Sequence, residues 1–403
     1  MPSLFTATAR HQPVHLVDCT MFWSATGGGV RRYLLAKHAW LQFTDWRHTI
    51  VAPGAQGPGF ADCGGLPLPL SGGYRLPLRR ELAASILEKQ APDLIEVGDP
   101  YRLAWAALDA AHRLDVPAVT FCHSNLAALA ARVVGGQGAR ARWARRTAGA
   151  YLGRTYRQFD LVLAPSWAMV HELQELGVAN AAHQPLGVDT SVFHPGRHDP
   201  RLRRALGLPA DCRLLLYAGR FAPEKNLQLL AETVRHLGPR YVLLAVGAGS
   251  YPPLGSQVML LPHQSRDGDL ARLFASVDAF VHAGDQETFG LAALEAMACG
   301  TPVVVRNAAG LAELVAGDCG IGVNSSRIGE WAEAIAEIFT SEREIRSVAS
   351  RHRAEAYDWN KVMPLLFRSY RRLLGDDLDE AGEGGAIPAL LREPLPTREG
   401  DFQ

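Results

Sequence analysis

Two carboxylates and a glycine stand close together in the stretch 287–305, whose sequence is ETFGLAALEAMACGTPVVV. Its pattern predicts a short helix from about Leu291 to Ala298, followed by a buried strand. Gly290 would let the backbone approach a ligand closely at the start of that helix. The first-turn amides, including that of Leu291, have no partner inside the helix and can therefore bind an anion such as a phosphate.

The two carboxylates flank this helix start, because Glu287 comes just before the predicted helix and Glu295 lies about one turn into it. An ionised carboxylate only accepts hydrogen bonds, so Glu295 suits the paired hydroxyls of a ribose. Glu287 is placed to hold a second polyol. This arrangement suits a nucleotide sugar, although two glutamates at this spacing also occur on many surface helices.

The whole string is more specific than its parts. It resembles the donor-site signature of the retaining glycosyltransferases of family 4 (glycosyl transferases group 1), which have the two-domain GT-B fold. The resemblance implies that Phe289, Gly290, Leu291 and Glu295 bind the nucleotide sugar and that Glu287 positions the donor sugar for catalysis. The wording ETFGL, with HAGDQ before it, is closest to bacterial members that use GDP-mannose or UDP-hexoses.

A second charged group occurs in the segment AGRFAPEKN, after a predicted strand Arg213–Tyr217. A planar guanidinium and an ammonium at Arg220 and Lys225 would together suit a diphosphate. A surface salt bridge between Arg220 and Glu224 is the alternative. The order G-R-x-x-x-E-K-N matches the family, in which the arginine and lysine stabilise the leaving nucleotide.

The first half of the chain offers two further candidates. His123 directly follows a predicted strand Ala118–Cys122, at the sheet edge where open α/β proteins bind ligands. A single histidine is more often structural, but this one matches the acceptor-domain histidine of the family, which contacts the reacting sugar or the acceptor. The loop SATGGG follows the predicted strand His15–Cys19 and fits neither a dinucleotide fingerprint nor a P-loop. The resemblance implies that Gly28 and Gly29 face the donor diphosphate.

Short apolar runs alternate with helical patterns along the chain, which predicts an α/β fold with parallel sheets and crossover helices. The resemblance makes this the GT-B fold, with two Rossmann-like, doubly wound domains facing a central cleft. We expect an acceptor-binding domain at 1–195 and a nucleotide-sugar-binding domain at 205–358. A helix at 359–374 should cross back to the first domain, and the acidic, then Gly/Pro-rich tail 375–403 should be disordered.

The composition is that of a globular enzyme. Among 403 residues, 41 Lys and Arg balance 41 Asp and Glu, which argues against a nucleic-acid partner. The six cysteines form no C-x-x-C pair, so neither a disulfide framework nor a zinc site is indicated, and a reducing, cytoplasmic location is expected. We expect no cofactor and no metal site beyond a divalent ion carried by the donor diphosphate. The sequence shows no signal peptide and no apolar run long enough to span a membrane.

An arginine-rich segment in the first half suggests a further partner. Residues 116–159 contain seven arginines and no Asp or Glu, and Arg142, Arg145 and Arg146 would share one helical face. A basic helix with aromatic edges can lie on an anionic membrane, whereas the alternative is a solvated face over a packed aromatic stripe. We predict peripheral contact of residues 132–157 with the inner face of the membrane, which would suit a lipid-linked acceptor.

These features predict a retaining glycosyltransferase that moves a hexose from GDP-mannose or a UDP-hexose to a hydroxyl of a glycolipid or saccharide. Arg220 and Lys225 would oppose the charge that grows on the departing diphosphate. No second carboxylate stands out as a glycosidase-type nucleophile, which suits transfer on one face of the sugar. The alternatives are a non-catalytic nucleotide-sugar-binding protein, which would not need Arg220, Lys225 and Glu287 together, and a sugar-nucleotide epimerase of the same fold.

Overall fold

The computed structural model describes residues 13–24, 28–68, 73–264, 266–340 and 342–376. The predicted disordered tail therefore lies outside the described residues, apart from its first two positions. Within the described part the chain forms two parallel sheets, each covered by helices on both faces, and a small antiparallel hairpin.

The first sheet is built by the first half of the chain. The strands there are β1 (His15–Cys19), β2 (Arg47–Ala52), β3 (Phe60–Asp62), β4 (Leu66–Pro67), β5 (Arg75–Leu76), β6 (Leu94–Val97), β7 (Ala118–Phe121), β8 (Leu161–Ala164) and β9 (Ala181–His183). Seven of them pair in parallel in the order β3-β2-β1-β6-β7-β8-β9, while β4 and β5 form the hairpin. The helices are α1 (Gly29–Leu41), α2 (Arg80–Lys89), α3 (Arg102–Leu114), α4 (Leu126–Val133), α5 (Gly138–Tyr156) and α6 (Trp167–Glu175).

The second sheet repeats the plan with six parallel strands in the order β12-β11-β10-β13-β14-β15. They are β10 (Arg213–Ala218), β11 (Tyr241–Val246), β12 (Val258–Leu261), β13 (Ala279–His282), β14 (Val303–Arg306) and β15 (Gly320–Val323). The helices are α7 (Leu202–Ala205), α8 (Leu227–Leu237), α9 (Asp267–Ser276), α10 (Leu291–Ala298), α11 (Ala309–Leu314), α12 (Ile328–Glu337), α13 (Arg343–Ala356) and α14 (Trp359–Leu373).

Both sheets are doubly wound, since the chain leaves β1 and β10 toward one edge and later returns to add strands on the other side. Helices on both faces bury the central strands, so these strands are near-continuous apolar runs such as HLVDC and YVLLAV. The predicted α/β class is confirmed. The Gly- and Pro-rich segment 53–78 contains β3, β4 and β5, which are strands of two or three residues. Strands this short leave no sequence period to detect.

The last helix joins the two halves. Two backbone hydrogen bonds tie Val188 to the start of this helix. The Val188 amide donates to the Tyr357 carbonyl (2.9 Å), and the Val188 carbonyl accepts from the Trp359 amide (3.1 Å). Helix α14 then packs on α1, where the Phe367 ring stacks on Trp40 with centroids 5.1 Å apart. The strands of the first sheet end at residue 183 and those of the second begin at residue 213, so the intervening segment carries the chain from one sheet to the other.

A buried group of charges holds α1 against the first sheet. The ammonium of Lys37 is fully buried and lies 2.9 Å from Asp18 on β1 and 2.8 Å from Glu96 on β6. The hydroxyls of Tyr33, on α1, and Tyr370, on α14, donate to Glu96. A buried ammonium is tolerated only when it is paired in this way, so these contacts fix α1 relative to both β-strands and α14.

Glu96 gives this group a measurable pH dependence. Burial raises the pKa of Glu96 to about 8, against the opposing influence of Lys37. A carboxyl whose pKa is higher in the folded protein than in the unfolded chain contributes its full stability below the unfolded pKa and loses it as the pH rises through the folded pKa. The free energy of unfolding should therefore fall between about pH 5 and pH 8.

We expect Glu96→Gln, which is neutral and of the same shape, to remove this part of the pH dependence. The measurement is the free energy of urea unfolding at several pH values across that range. Glu81→Gln on α2, where the side chain is exposed, is the matched control and should keep the slope of the wild type. A Glu96→Gln protein with an unchanged slope would show that Glu96 is ionised throughout.

Candidate active site

The starts of two helices face each other between the sheets. Gly28 precedes α1 at the carboxyl end of β1, and Gly29 is the first residue of that helix. A Cβ atom at Gly29 would lie 3.0 Å from Cδ1 of Leu291, the first residue of α10. Space is open around Gly28, where a Cβ would meet no atom within 4 Å. The positive ends of both helices therefore converge on one point, which suits an anion.

The turn before α10 is held in a shape that requires glycine. Gly290 has φ +98°, and a Cβ there would collide with the Leu311 side chain. The amide of Gly310 donates to the carbonyl of Glu287 at 3.0 Å and fixes the other end of the turn. The ring of Phe289 is buried and packs edge-on against Tyr357. Phe289 can therefore offer a ligand only its backbone, although its place in the signature suggested a direct contact.

Glu287 lies between a lysine ammonium and a histidine ring. The ammonium of Lys225 contacts its Oε1 directly, and Nε2 of His282 lies 3.1 Å from the same oxygen. Burial alone would raise the pKa of Glu287, but Lys225 and His282 together hold it well below its usual range. The carboxylate is thus ionised. Glu287 belongs to the turn 287–290 before α10, here called the signature turn, and it holds Lys225 at the carboxyl edge of the second sheet.

Arg220 forms the salt bridge that was the alternative interpretation of its sequence. Its Nη2 lies 2.7 Å from Oε1 of Glu224, in the same loop after β10. The Arg220 side chain is nevertheless 69% exposed. The guanidinium is therefore accessible to an anionic ligand, while its buried partner Glu224 holds it at this position. The backbone is held by Tyr217, whose hydroxyl donates to the Arg220 carbonyl.

Glu295 lies on the buried side of α10 and is 3% exposed. Its Oε1 accepts from the guanidinium of Arg32, which comes from α1 across the cleft. Its Oε2 is also buried and has no hydrogen-bond partner within the described part of the chain. Burial raises the pKa of Glu295, and Arg32 opposes that shift. A buried acceptor without a donor is rare in folded proteins and points to a missing ligand.

His123 follows β7 and faces the second sheet. Its ring stacks on Phe121, with centroids 4.4 Å apart, and its carbonyl accepts from Thr288 Oγ1 of the signature turn (3.0 Å). Burial lowers the pKa of His123 to about 3, with help from the Lys37 charge, so the imidazole is neutral at physiological pH. Its Nε2 is buried and unpartnered among the described residues, and a neutral ring nitrogen there could contact a sugar hydroxyl.

Comparison with known proteins decides the family. The model of the glycosyl transferases group 1 matches residues 198–357, and that of Glycosyltransferase Family 4 matches residues 27–192. The GDP-mannose-dependent alpha-(1-6)-phosphatidylinositol dimannoside mannosyltransferase of Mycobacterium tuberculosis is 31% identical over 305 residues, which are 73% of this chain and 77% of that protein. The chain belongs to glycosyltransferase family 4. A GDP-mannose-dependent alpha-mannosyltransferase of Mycolicibacterium smegmatis is 29% identical over 74% of this chain and 79% of its own length.

Solved structures show the fold of this glycosyltransferase. Anabaena HepE in complex with UDP and glucose superposes with a TM-score of 0.70 at 18% identity, over 89% of this chain and 99% of that one. Sucrose-phosphate synthase from Thermosynechococcus elongatus gives a TM-score of 0.70 at 20% identity, over 90% and 99%. The predicted GT-B fold is confirmed, as is the predicted enzyme class.

Arg132 does not lie on the predicted membrane-facing surface but contacts the second half of the chain. It was assigned to a membrane-facing basic segment, but its guanidinium reaches across the cleft to Asp285 (3.1 Å), the Pro223 carbonyl (2.7 Å) and the Asn226 side chain (3.0 Å). These acceptors lie in the Arg220–Lys225 loop and before the signature turn. Arg132 therefore braces the loop that carries the two candidate phosphate-binding cations, because α4 ends directly opposite that loop.

The rest of the arginine-rich segment lies on α5 and is partly neutralised. Arg145 pairs with Glu172 of α6 at 3.4 Å, so the acid that the segment itself lacks comes from a neighbouring helix. The outer side of α5 still combines basic and apolar groups. The exposed residues on α5 are Arg140, Arg142, Trp143 and Arg146, and the exposed Val133 and Val134 lie at the end of the preceding helix α4. Of the described helices, none is both long enough and apolar enough to cross a membrane.

Sequence reasoning missed two residues that shape this site, Arg32 and His282. It also missed the bracing role of Arg132. His282 ends β13 just as His123 follows β7, so its position at a strand end was a usable signal. Arg32 lies one turn into the helix that follows the glycine loop, which also places it at the cleft. Neither partner could be deduced, because the carboxylates that these residues contact lie on other elements of the chain.

Proposed function

We propose that this glycosyltransferase transfers mannose from GDP-mannose to a hydroxyl of a glycolipid or saccharide acceptor, with retention of the anomeric configuration. The donor assignment is supported by the two relatives described above, since both are named as GDP-mannose-dependent and each aligns with nearly three quarters of the chain. The observation that carries the reaction type is the set of cations and helix starts that converge at one edge of both sheets.

The leaving group is a diphosphate, and its developing negative charge is stabilised by positively charged groups from two sides. The starts of α1 and α10 approach each other at Gly29 and Leu291. In the proposal the diphosphate lies between them, where Arg220 and Lys225 reach it from the loop after β10. Donors held in place before the reaction stabilise the transition state without reorganisation. No resident cofactor or metal is part of this proposal.

The remaining groups place the sugar and the nucleoside. Glu295 accepts the ribose hydroxyls, and Glu287, which Lys225 and His282 keep ionised, accepts hydroxyls of the mannose. His123 is neutral, and its Nε2 has no hydrogen-bond partner within the part of the chain that the structure describes, so in the proposal it contacts the mannose or the acceptor from the other side. With the diphosphate on one face of the sugar, the acceptor hydroxyl enters on that face and transfers its proton to the departing phosphate, which preserves the configuration.

We also propose that the enzyme acts at the cytoplasmic face of a membrane, where a lipid-linked acceptor would be found. All six cysteines are buried and unpaired, as in reducing compartments. The exposed group on α5 combines Arg142 and Arg146 with Trp143, which is 69% exposed. Basic residues next to an interfacial tryptophan favour binding to anionic lipid.

The transferase proposal predicts the effect of Arg220→Ala. Loss of one preorganised cation should lower kcat by roughly 10²–10³, because its main effect is on the charged transition state, and donor affinity should be largely kept. The measurement is release of GDP from GDP-mannose with an added mannoside acceptor, and NMR of the first product should show the α-anomer.

The matched control is Arg240→Ala, which removes an exposed arginine from a surface ion pair with Asp211 in the same half of the chain. Its turnover should equal that of the wild type. Equal turnover in the Arg220→Ala protein, or an initial product with inverted configuration, would contradict the proposed mechanism. Turnover with UDP-glucose but not GDP-mannose would contradict the donor assignment alone.

The membrane proposal predicts the behaviour of a double variant, Arg142→Ala/Arg146→Ala. Each basic residue near an anionic surface adds about 1 kcal/mol, so partitioning onto vesicles that contain phosphatidylglycerol should fall by roughly thirtyfold. Sedimentation with sucrose-loaded vesicles measures this. Arg204→Ala/Arg235→Ala removes two exposed arginines from the second half and should bind like the wild type. If both double variants partition alike, α5 is not the membrane contact.

A further inference from the structure

Arg32 connects the two halves of the molecule at the position where the nucleoside of the donor is expected. It lies in the first turn of α1, and its Nη1 contacts Oε1 of Glu295 on α10. Its Nη2 lies 3.3 Å from Asp267 at the start of α9. One guanidinium from the first half of the chain thus joins two carboxylates of the second half.

This contact closes access to Glu295. The Glu295 side chain is 4% exposed. A ribose offers two neighbouring hydroxyls, and both carboxylate oxygens would serve as their acceptors. Arg32 occupies Oε1, and Oε2 is buried without a hydrogen-bond partner in the described part of the protein. A ribose hydroxyl therefore cannot bind Oε1 of Glu295 until Arg32 moves.

We propose that Arg32 is an internal competitor of the donor: in the free enzyme its guanidinium occupies the carboxylate that the ribose hydroxyls take over when the nucleotide binds. This inference rests on the proposed role of Glu295 as the ribose acceptor. It adds a residue that sets donor affinity, and it explains how a buried carboxylate is stabilised before the donor arrives, since a buried charge without a partner is strongly unfavourable.

The geometry favours competition over a role for Arg32 in orienting Glu295. An orienting donor would hold one oxygen and leave the other open to the ligand, whereas here both oxygens are inaccessible. Arg32 also has another partner to which it can turn. Asp267 is 54% exposed and already touches the same guanidinium, so Arg32 keeps a counter-charge after it releases Glu295. Donor affinity is then reduced by the fraction of molecules in which Glu295 is free.

Arg32→Ala tests the inference. Water replaces the guanidinium beside Glu295 and is easier to displace than a charged hydrogen-bond partner, so the Kd of GDP should fall by about tenfold. KM for GDP-mannose should fall with kcat unchanged, as expected when only uniform binding of the donor changes. Arg32→Lys retains the charge and should return the Kd toward that of the wild type. Titration calorimetry with GDP and with UDP measures the affinities.

The neighbouring residue gives a matched control. Arg31 lies on the same turn, but its guanidinium is over the ring of Trp23, 5.3 Å from the centroid. Arg31→Ala should leave the Kd unchanged. A Kd for Arg32→Ala that rises, or that stays at the wild-type value, overturns the competitor role. A fall in both Arg31→Ala and Arg32→Ala also overturns it, because it would show a general effect of charge at the start of α1.

A third protein, Arg32→Ala/Glu295→Gln, separates this inference from the proposed function. With Arg32 absent, loss of the carboxylate should weaken GDP binding relative to Arg32→Ala, which supports Glu295 as the ribose acceptor. If the two proteins bind GDP equally, the proposed role of Glu295 fails and the inference fails with it. If Glu295→Gln weakens binding in that background but Arg32→Ala itself does not tighten it, only the competitor role is lost.

Discussion

The candidate site depends on one buried ammonium. Lys37 has no exposed surface and pairs with Asp18 and Glu96, while Tyr370 of the last helix donates to Glu96. These contacts tie α1 to β1, β6 and α14, because breaking any of them would leave a buried charged or polar group without its partner. Helix α1 carries Gly28, Gly29 and Arg32 at its other end. The network therefore fixes the position of α1, which forms one wall of the cleft. Because α14 takes part in the network, it also links the second half of the chain to α1.

The opposite wall is fixed by a different device. Glu287 lies just before α10 and Glu295 lies about one turn into it, and each carboxylate contacts a cation: Lys225 in one case and Arg32 in the other. Lys225 belongs to the same half of the molecule as Glu287, so that pair lies within one half. Arg32 belongs to the other half, so its pair with Glu295 can change as the donor binds. In the proposal these two similar ion pairs serve different purposes, and only the geometry distinguishes them.

Local patterns predicted most of the fold because strands such as Tyr241–Val246 and helices such as Leu291–Ala298 have the apolar runs and stop signals that define them. The signature also located Glu287 and Glu295. Contacts between distant parts of the chain left no such trace. The position of Arg132 opposite the Arg220–Lys225 loop depends on how α4 meets the second sheet, and composition alone suggested a membrane surface for it. For the same reason, the contact between Arg32 and Glu295 could not be predicted from the sequence.

The most direct measurement is a crystal structure of the enzyme with GDP-mannose. The account predicts that the diphosphate lies between the starts of α1 and α10, in contact with Arg220 and Lys225. It predicts that both ribose hydroxyls contact Glu295 and that the guanidinium of Arg32 has left that carboxylate. A nucleotide bound elsewhere, or a ribose that makes no contact with Glu295, would contradict the assignment of the donor site.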